Sequence, residues 1–200
     1  MCLDFIYLAS GSPRRRELLQ QIGVPFRVVG AAVDEAVLTG ETSEAYVARL
    51  AAAKADAGWE HNQVRRAPVL AADTAVVLDG RILGKPIDRP DGEAMLRQLS
   101  GRTHVVLTAI ALRTASGLRS RISRSEVTFR ALAAEEIRTY WESGEPGDKA
   151  GAYAIQGRAA VFIADLRGSF SGVMGLPLFE TAELLRDAGV AHWQSAGPTQ

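Results

Sequence analysis

The sequence predicts an α/β fold in which a mixed β-sheet is flanked by helices. Two observations carry this prediction. Short apolar runs alternate along the chain with helix-like segments that begin at capping residues and end at glycine. Other apolar runs follow one another across turn-forming residue pairs, which is typical of antiparallel hairpins. Crossover helices and hairpins together imply a sheet with both parallel and antiparallel strands.

The bounds of each element follow from the residues that start and stop it. Ser12 is a favourable N-cap and Pro13 suits the first helical position, so a helix should follow the first strand directly. Asp91 similarly indicates the cap of a later helix, and Asp79-Gly80 is typical of a type I′ hairpin turn. The expected elements are a strand at residues 5–9, a helix at 12–22, a strand at 26–29, a helix from 42 or 43 to 59, strands at 69–78 and 81–83, a helix at 91–100, strands at 105–112 and 122–129, a helix at 133–143, a loop at 144–157, a strand at 160–166 and a helix at 177–185.

Composition excludes several classes of protein. Two hundred residues without a repeat or a long linker predict one domain over residues 1–200, and a hydrophobic fraction of 47% excludes a disordered chain. The 23 basic residues are balanced by 23 acidic ones, which disfavours general nucleic-acid binding. The single cysteine, Cys2, excludes an internal disulfide and fits a reducing compartment. With no signal peptide and no apolar run of about 18 residues, we expect a cytoplasmic protein without membrane attachment.

The first unusual feature is a run of three arginines, residues 14–16, at the start of the first predicted helix. Cations there face the positive end of the helix dipole, which is unfavourable by about 0.3–1 kcal/mol each. A bound anion would reverse that sign. Backbone N–H groups, the hydroxyl of Ser10 and forked guanidinium groups together make a phosphate site. The alternative is a solvated first turn whose arginines pair with surface carboxylates.

The second unusual feature is a lysine on the apolar face of the second helix. Val47, Leu50 and Ala51 form an i, i+3, i+4 stripe, and Lys54 occupies the i+7 position on the same stripe. A buried ammonium needs an anionic partner, because uncompensated desolvation costs several kcal/mol. The alternative is that the side chain extends to the domain edge and keeps its charge in water.

Two carboxylates and a second lysine complete the set. Asp73 lies in the middle of a predicted strand, where aspartate is unfavourable, so we expect either a site carboxylate or a bulge residue that accepts backbone hydrogen bonds. Glu35, in the loop after the second strand, could join it as a hard oxygen ligand for Mg²⁺ or Mn²⁺. Lys85 follows the hairpin in a rigid turn. These groups suit a metal-bridged polyphosphate whose bridging bond is hydrolysed.

Other chemistries have weaker support. The sequence contains no GxSxG, Walker A or GxGxxG motif. His61, His104 and His192 lack the spacing of a zinc site.

The chain resembles the Maf family of nucleoside triphosphate pyrophosphatases. The likeness covers nearly all of the sequence and depends on ordered motifs. They are LASGSPRRRELL at residues 8–19, VDE at 33–35, AADT at 71–74, GKP at 84–86, LSG at 99–101, DKAGAYAIQG at 148–157 and GLP at 175–177.

The resemblance implies an elongated fold with two lobes around a cleft, similar to the inosine triphosphate pyrophosphatases, and usually a homodimer. It implies hydrolysis of a nucleoside triphosphate to the monophosphate and pyrophosphate with a divalent metal. The positions that match the family's functional residues are Ser10, Arg14, Arg15, Glu35, Lys54, Asp73, Lys85 and Gln156. We expect Asp73, Lys54 and Lys85 to be catalytic, and Glu35 with Asp73 to hold the metal.

Three positions resemble the branch of the family that prefers dTTP and UTP: Arg14, Thr74 and Gln156. An amide offers both a donor and an acceptor to the imide edge of thymine or uracil. The alternative is that Gln156 braces its own loop. Phe170 and Gly172 depart from the family pattern, in which tyrosine and asparagine are common, and this leaves the base pocket or the dimer edge open there.

Two rival functions remain at this point. A nucleotide sensor or division regulator would use the same pocket to bind a nucleotide without turnover. An arginine-rich nucleic-acid module would bind long DNA or RNA in a salt-dependent manner, which the zero net charge disfavours.

Overall fold

The computed structural model describes residues 5–61, 67–190 and 193, so Cys2 and His192 lie outside the described residues. The strands are β1 (Ile6–Leu8), β2 (Phe26–Val28), β3 (Val69–Leu78), β4 (Arg81–Leu83), β5 (Thr103–Thr114), β6 (Gly117–Phe129) and β7 (Ile163–Arg167). The α-helices are α1 (Pro13–Gln21), α2 (Ser43–His61), α3 (Arg89–Leu99), α4 (Ala134–Glu142), α5 (Phe170–Met174) and α6 (Leu178–Asp187). Three 3₁₀ helices span Glu145–Asp148, Ala150–Ala152 and Arg158–Phe162.

All seven strands belong to one mixed sheet in the order β2-β1-β3-β5-β6-β7, with β4 paired to β3. The pairings of β1 with β2 and with β3 are parallel, and the pairings among β3, β4, β5, β6 and β7 are antiparallel. Asp79 and Gly80 both have positive φ, at 50° and 76°, as a type I′ turn requires. The predicted α/β class with a mixed sheet is confirmed. Among the residues described, no helix is long and apolar enough to span a membrane.

One edge of β3 is left open over part of its length. β1 pairs with β3 only at Val69 and Leu70, and β4 pairs with it only from Val76 onward. Residues 71–75 therefore have no described strand beside them on this edge. A ligand-binding crevice is expected where a sheet opens beyond the carboxyl end of a strand, and here β1 ends at this gap.

The side chains of β3 alternate between the two faces of the sheet. Val69 and Ala71 pack with residues of α2 on one face. On the other face, Leu70 packs with α1 and α6, whereas Val76 packs with α3 and α4 in a separate core. The two cores lie on the same face of the sheet, and the arrangement of two lobes around a cleft stays a prediction.

Four local predictions were wrong or incomplete. The cap of α3 is Asp88, whose Oδ1 accepts from the N–H of Asp91 at 2.9 Å, while Asp91 accepts from Ile87 at 3.0 Å. The two aspartates thus cap reciprocally, and the predicted cap sits inside the first turn. β5 and β6 are longer than expected, residues 160–162 are 3₁₀ rather than strand, and α5 was not predicted.

Candidate active site

A cavity of about 730 Å³ lies at the open edge of β3. Its walls come from the β1–α1 turn, α2, the middle of β3, the segment after β4 and the 3₁₀ segments that follow α4. All nine side chains proposed from the sequence line it: Ser10, Arg14, Arg15, Glu35, Lys54, Asp73, Thr74, Lys85 and Gln156.

Arg15 is a partly buried cation held by neutral acceptors. Its Nε donates to the Gly175 carbonyl at 2.8 Å, and its two terminal nitrogens donate to Ser10 Oγ at 3.0 Å and Thr74 Oγ1 at 3.2 Å. Among the residues that the structure describes, no carboxylate forms an ion pair with it. Desolvation lowers the pKa of Arg15 to about 10, with the Asp73 charge opposing the shift. A guanidinium that has no ion-pair partner among the described residues is well suited to bind an anionic group of a ligand.

Arg14 also faces the cavity, but Arg16 does not. Arg14 Nε donates to the Met174 carbonyl at 3.2 Å, and burial lowers its pKa against the opposing charge of Asp148. Arg16 turns back to the Gly11 carbonyl at 2.8 Å and is absent from the cavity lining. The prediction of three guanidinium groups was therefore wrong, because residues 14 and 16 of one helix point about 200° apart and cannot both face the same cavity.

Lys54 joins the two carboxylates. Its Nζ lies 2.6 Å from Glu35 Oε1 and 2.7 Å from Asp73 Oδ1, and only 12% of its side chain is exposed. The stripe on α2 therefore does place this lysine inward, against β3, and its charge is not carried out to solvent. Glu35 and Asp73 are thus the anionic partners that a buried ammonium requires.

The two carboxylates have opposite pKa shifts. Burial raises the pKa of Asp73, and the charges of Lys54 and Arg15 only partly offset this effect. The hydrogen bond from Lys54 lowers the pKa of the more exposed Glu35. Two carboxyl groups whose pKa values are pushed apart are suited to different roles, with Asp73 the stronger base.

Thr74 points to the other face of the sheet, toward Arg15. Its Oγ1 lies 3.0 Å from Oγ1 of Thr108, directly opposite on β5, and Thr108 donates to the Gly172 carbonyl at 2.7 Å. Thr108 was not predicted, because threonine is an ordinary strand residue. Phe170 is about half-exposed, and neither Phe170 nor Gly172 lines the cavity.

The remaining predicted residues, Lys85 and Gln156, also line the cavity. Lys85 is exposed, and its charge contributes to the lowered pKa of Glu35. Gln156 is exposed to the cavity and forms no hydrogen bond with another described residue, so its side chain does not brace the loop.

Two further lining residues were missed. Tyr46 donates its hydroxyl to the Glu35 carbonyl at 3.1 Å, and it precedes Lys54 by eight residues on one face of α2, a spacing that could have revealed it. Lys149, paired with Asp148, lies in the motif at residues 148–157 without any periodic signal.

The donor set fits a divalent cation bound together with phosphate. Glu35 and Asp73 both contact Lys54 Nζ, so the two carboxylates lie close together at the cavity. Among the described residues there is no cluster of three or more potential metal-ligating side chains. Mg²⁺ is typically held by one or two carboxylates plus substrate phosphates, which matches a pair of carboxylates facing a cationic cavity.

Comparison with known proteins covers nearly the whole chain. A family model described as Maf-like protein matches residues 5–188. The dTTP/UTP pyrophosphatase of Aromatoleum aromaticum is 58% identical over 196 residues, which is 92% of this chain and 95% of the relative. The dTTP/UTP pyrophosphatase of Methylococcus capsulatus is 56% identical over 185 residues, 92% of this chain and 91% of the relative.

A solved structure of a nucleoside-triphosphatase / dITP/XTP pyrophosphatase from Mycobacterium abscessus covers 90% of this chain and 94% of its own length, with 17% identity and a TM-score of 0.44. The residues that line the cavity all fall within the range that the family model matches.

Proposed function

The chain belongs to the Maf family, and on this premise we propose that it hydrolyses dTTP and UTP to the nucleoside monophosphate and pyrophosphate. Relatives 53–58% identical over most of the chain carry the name dTTP/UTP pyrophosphatase, which supports this substrate class. The observation that carries the proposal is the position of Lys54 between Glu35 and Asp73 in a cavity lined by further cations.

The cations bind the triphosphate in this proposal. Arg14 and Arg15 approach it from α1, and Lys85 approaches it from the opposite wall. Ser10 Oγ accepts from Arg15 and from the Ser12 N–H, so it fixes the turn that leads into the helix. Phosphate oxygens would supply the anionic partner that Arg15 lacks among the described residues.

Asp73 is the proposed general base. A water molecule attacks the α-phosphorus, its proton passes to Asp73, the bond between the α-phosphorus and the bridging oxygen breaks, and pyrophosphate leaves. The raised pKa of Asp73 makes its carboxylate a stronger proton acceptor than an exposed aspartate. Lys54 orients this carboxylate and stabilises charge that develops on the phosphoryl oxygens.

Glu35 and Asp73 would hold a divalent cation, Mg²⁺ or Mn²⁺. The cation, when bound, supplies charge neutralisation at the phosphates. Tyr46 assists by fixing the backbone of Glu35 through its hydroxyl.

Gln156 is the proposed reader of the base. Its amide is free of other hydrogen bonds among the described residues and can both donate to and accept from the imide edge of thymine or uracil. Thr74, held between Arg15 and Thr108, shapes the wall beside Arg15.

We further propose that residues 1–200 act as one Maf-like domain, in the cytoplasm, as a homodimer that does not bind nucleic acid stably. One continuous sheet containing all seven strands supports the single domain. Sedimentation equilibrium at several protein concentrations tests the dimer, which a monomer mass at all concentrations would contradict.

The test of the reaction is pyrophosphate release from dTTP, UTP, dCTP, dATP, GTP and 7-methyl-GTP, with and without Mg²⁺ or Mn²⁺. We expect metal-dependent turnover led by dTTP and UTP. Asp73→Asn should abolish it, whereas Asp79→Asn, an exposed aspartate of the same hairpin, should not. Binding of these nucleotides without turnover would instead indicate a sensor, and turnover retained by Asp73→Asn would refute the role of Asp73.

A further inference from the structure

The side chain proposed to read the base, Gln156, is not held by a hydrogen bond to any other described residue. Gln156 lies between two 3₁₀ helices, Ala150–Ala152 and Arg158–Phe162, and its amide contacts no other described residue by hydrogen bonding. The region of the cavity that the amide can reach is therefore determined by the position of the backbone that carries it. Whatever holds this backbone also controls what the amide can recognise.

The backbone before Gln156 is held by Tyr140 of α4. The buried Tyr140 hydroxyl accepts from the Ala154 N–H at 3.2 Å and donates to Glu145 Oε1 at 2.7 Å. A phenol carries one hydrogen, so the two contacts fix its orientation completely. Residue 154 is in this way tied to the carboxylate of Glu145.

The backbone after Gln156 is held by the same carboxylate. Glu145 Oε2 accepts from the Arg158 N–H at 3.0 Å, and Oε1 accepts from the Ala159 N–H at 3.5 Å. These are the first free N–H groups of the 3₁₀ helix, which a carboxylate satisfies well. Glu145 forms no ion pair with another residue in the described part of the chain, and apart from the Tyr140 hydroxyl the donors to its carboxylate lie in this segment.

Gly157 is required by this arrangement. A Cβ atom at residue 157 would lie 2.3 Å from Glu145 Oε2 and 2.5 Å from Cδ, closer than any real contact. The absence of a side chain lets the carboxylate approach the backbone directly beside Gln156. Substitution at residue 157 would therefore displace Glu145 from the opposite side.

We propose that Glu145 is a positioning residue for nucleobase selectivity: with Tyr140, it fixes the backbone on both sides of Gln156 and so aims the amide at the base. This inference rests on the proposed function, in which Gln156 reads the imide edge. Glu145 itself does not line the cavity, and it acts only through the segment at residues 154–159.

The test compares UTP with CTP, which differ only at the edge that the amide would read. Glu145→Gln keeps the shape but replaces one acceptor oxygen with an NH₂ group that faces other donors. We expect the ratio of kcat/KM for UTP over CTP to fall by about tenfold, since one well-made hydrogen bond is worth about that factor. Glu142→Gln, which changes an exposed glutamate at the end of α4, should leave the ratio unchanged.

The decisive comparison makes the Glu145→Gln substitution in a protein that already carries Gln156→Ala. If Glu145 acts through Gln156, Glu145→Gln should cause no further loss of selectivity in the Gln156→Ala protein. Equal slowing of both substrates, or additive losses in the double variant, would show a merely structural role and overturn the proposal. Gly157→Ala provides a second route to the same displacement if Glu145→Gln fails to fold.

Calorimetric affinities for UTP and CTP provide a readout independent of turnover. Wild-type protein that prefers UTP in binding but hydrolyses neither nucleotide would refute the proposed reaction and still test the role of Glu145. Wild-type protein with no preference between the two nucleotides would overturn the proposal itself.

Discussion

The hydrogen bond between Thr74 and Thr108, 3.0 Å from Oγ1 to Oγ1, runs in only one direction. Thr108 donates its single hydroxyl hydrogen to the Gly172 carbonyl, so it must accept from Thr74. Thr74 in turn has only lone pairs left for Arg15, which donates to it at 3.2 Å. A guanidinium in the cavity is thereby joined to the backbone of α5 through two hydroxyls on neighbouring strands.

Thr108→Val should interrupt the series of hydrogen bonds from Arg15 to Gly172 without changing the shape of the side chain at residue 108. The Thr74 hydroxyl and the Gly172 carbonyl would each lose a partner, which is expected to lower the free energy of unfolding by about 1–3 kcal/mol. We also expect kcat/KM for dTTP to fall roughly tenfold, because Arg15 is held less firmly. Urea denaturation and steady-state kinetics measure both effects. Thr108→Ser keeps the hydroxyl and should behave almost as wild type; equal losses in the two variants would contradict the prediction.

Lys54→Gln should move the acid limb of the pH–rate profile to higher pH. Asp73 acts as a base only when deprotonated, so kcat/KM falls as the pH drops through its pKa. Burial already raises that pKa, and the charge of Lys54 is the largest influence holding it down. Without this charge the acid limb of the profile should move to higher pH by roughly one to three units. Lys54→Arg retains the charge and should show a smaller shift; an unmoved limb in Lys54→Gln would exclude Asp73 as the titrating group.

Removal of divalent cations should abolish turnover and leave the fold intact. Lys54 already pairs with both carboxylates that would hold the cation, and the charge of Arg15 also acts on Asp73, so a metal is not needed to relieve repulsion between the two carboxylates. Thermal unfolding with and without EDTA should give the same Tm, in contrast to proteins that fold only around a metal. A large drop in Tm with EDTA would show that the cation is structural.

His104 should make stability depend on pH near neutrality. It is buried against Tyr153, whose hydroxyl lies 2.8 Å from Nε2, and desolvation lowers its pKa from 6.5 to about 4. Because the folded-state pKa is depressed, the unfolded state binds more protons below pH 6.5. Stability from the neutral imidazole is therefore present above pH 6.5 and lost as the pH falls toward 4.

Between pH 7 and pH 5 the loss from His104 should be about 2 kcal/mol. Chemical denaturation at the two pH values measures it. His104→Gln, which still offers Tyr153 a partner but does not titrate, should reduce the loss by that amount. A variant with the same pH dependence as wild type would show that another group is responsible.

Most of the fold could be predicted because its signals are local. Caps, turn pairs and apolar periodicity lie within a few residues of the elements that they determine. The start of β6 gave no such signal, since residues 118–121 alternate apolar or polar with arginine, lie exposed and are paired to β5 through the backbone. α5 has five residues and depends on a cap from Ser169 and on packing near Thr108, which no local pattern reveals.

The candidate site could be predicted where a residue contradicts its local surroundings. A lysine on an apolar stripe and an aspartate within a strand both point to partners elsewhere in the chain. Thr108 and Glu145 contradict nothing locally: threonine is common in strands and glutamate is common after a helix. Thr108 contacts Gly172, 64 positions away, and Glu145 contacts Arg158, 13 positions away, so only the folded chain shows their role.

The bonds from Arg14 and Arg15 to the carbonyls of Met174 and Gly175 each join residues 160 positions apart. Since synthesis proceeds from the N-terminus, the two arginines emerge from the ribosome long before the carbonyls that hold them. A nascent or truncated chain that stops before Met174 contains every proposed phosphate-binding side chain but lacks the two carbonyl acceptors that hold the arginines. Competence to bind substrate should therefore arise late, when translation is nearly complete, and should not build up gradually as the chain lengthens.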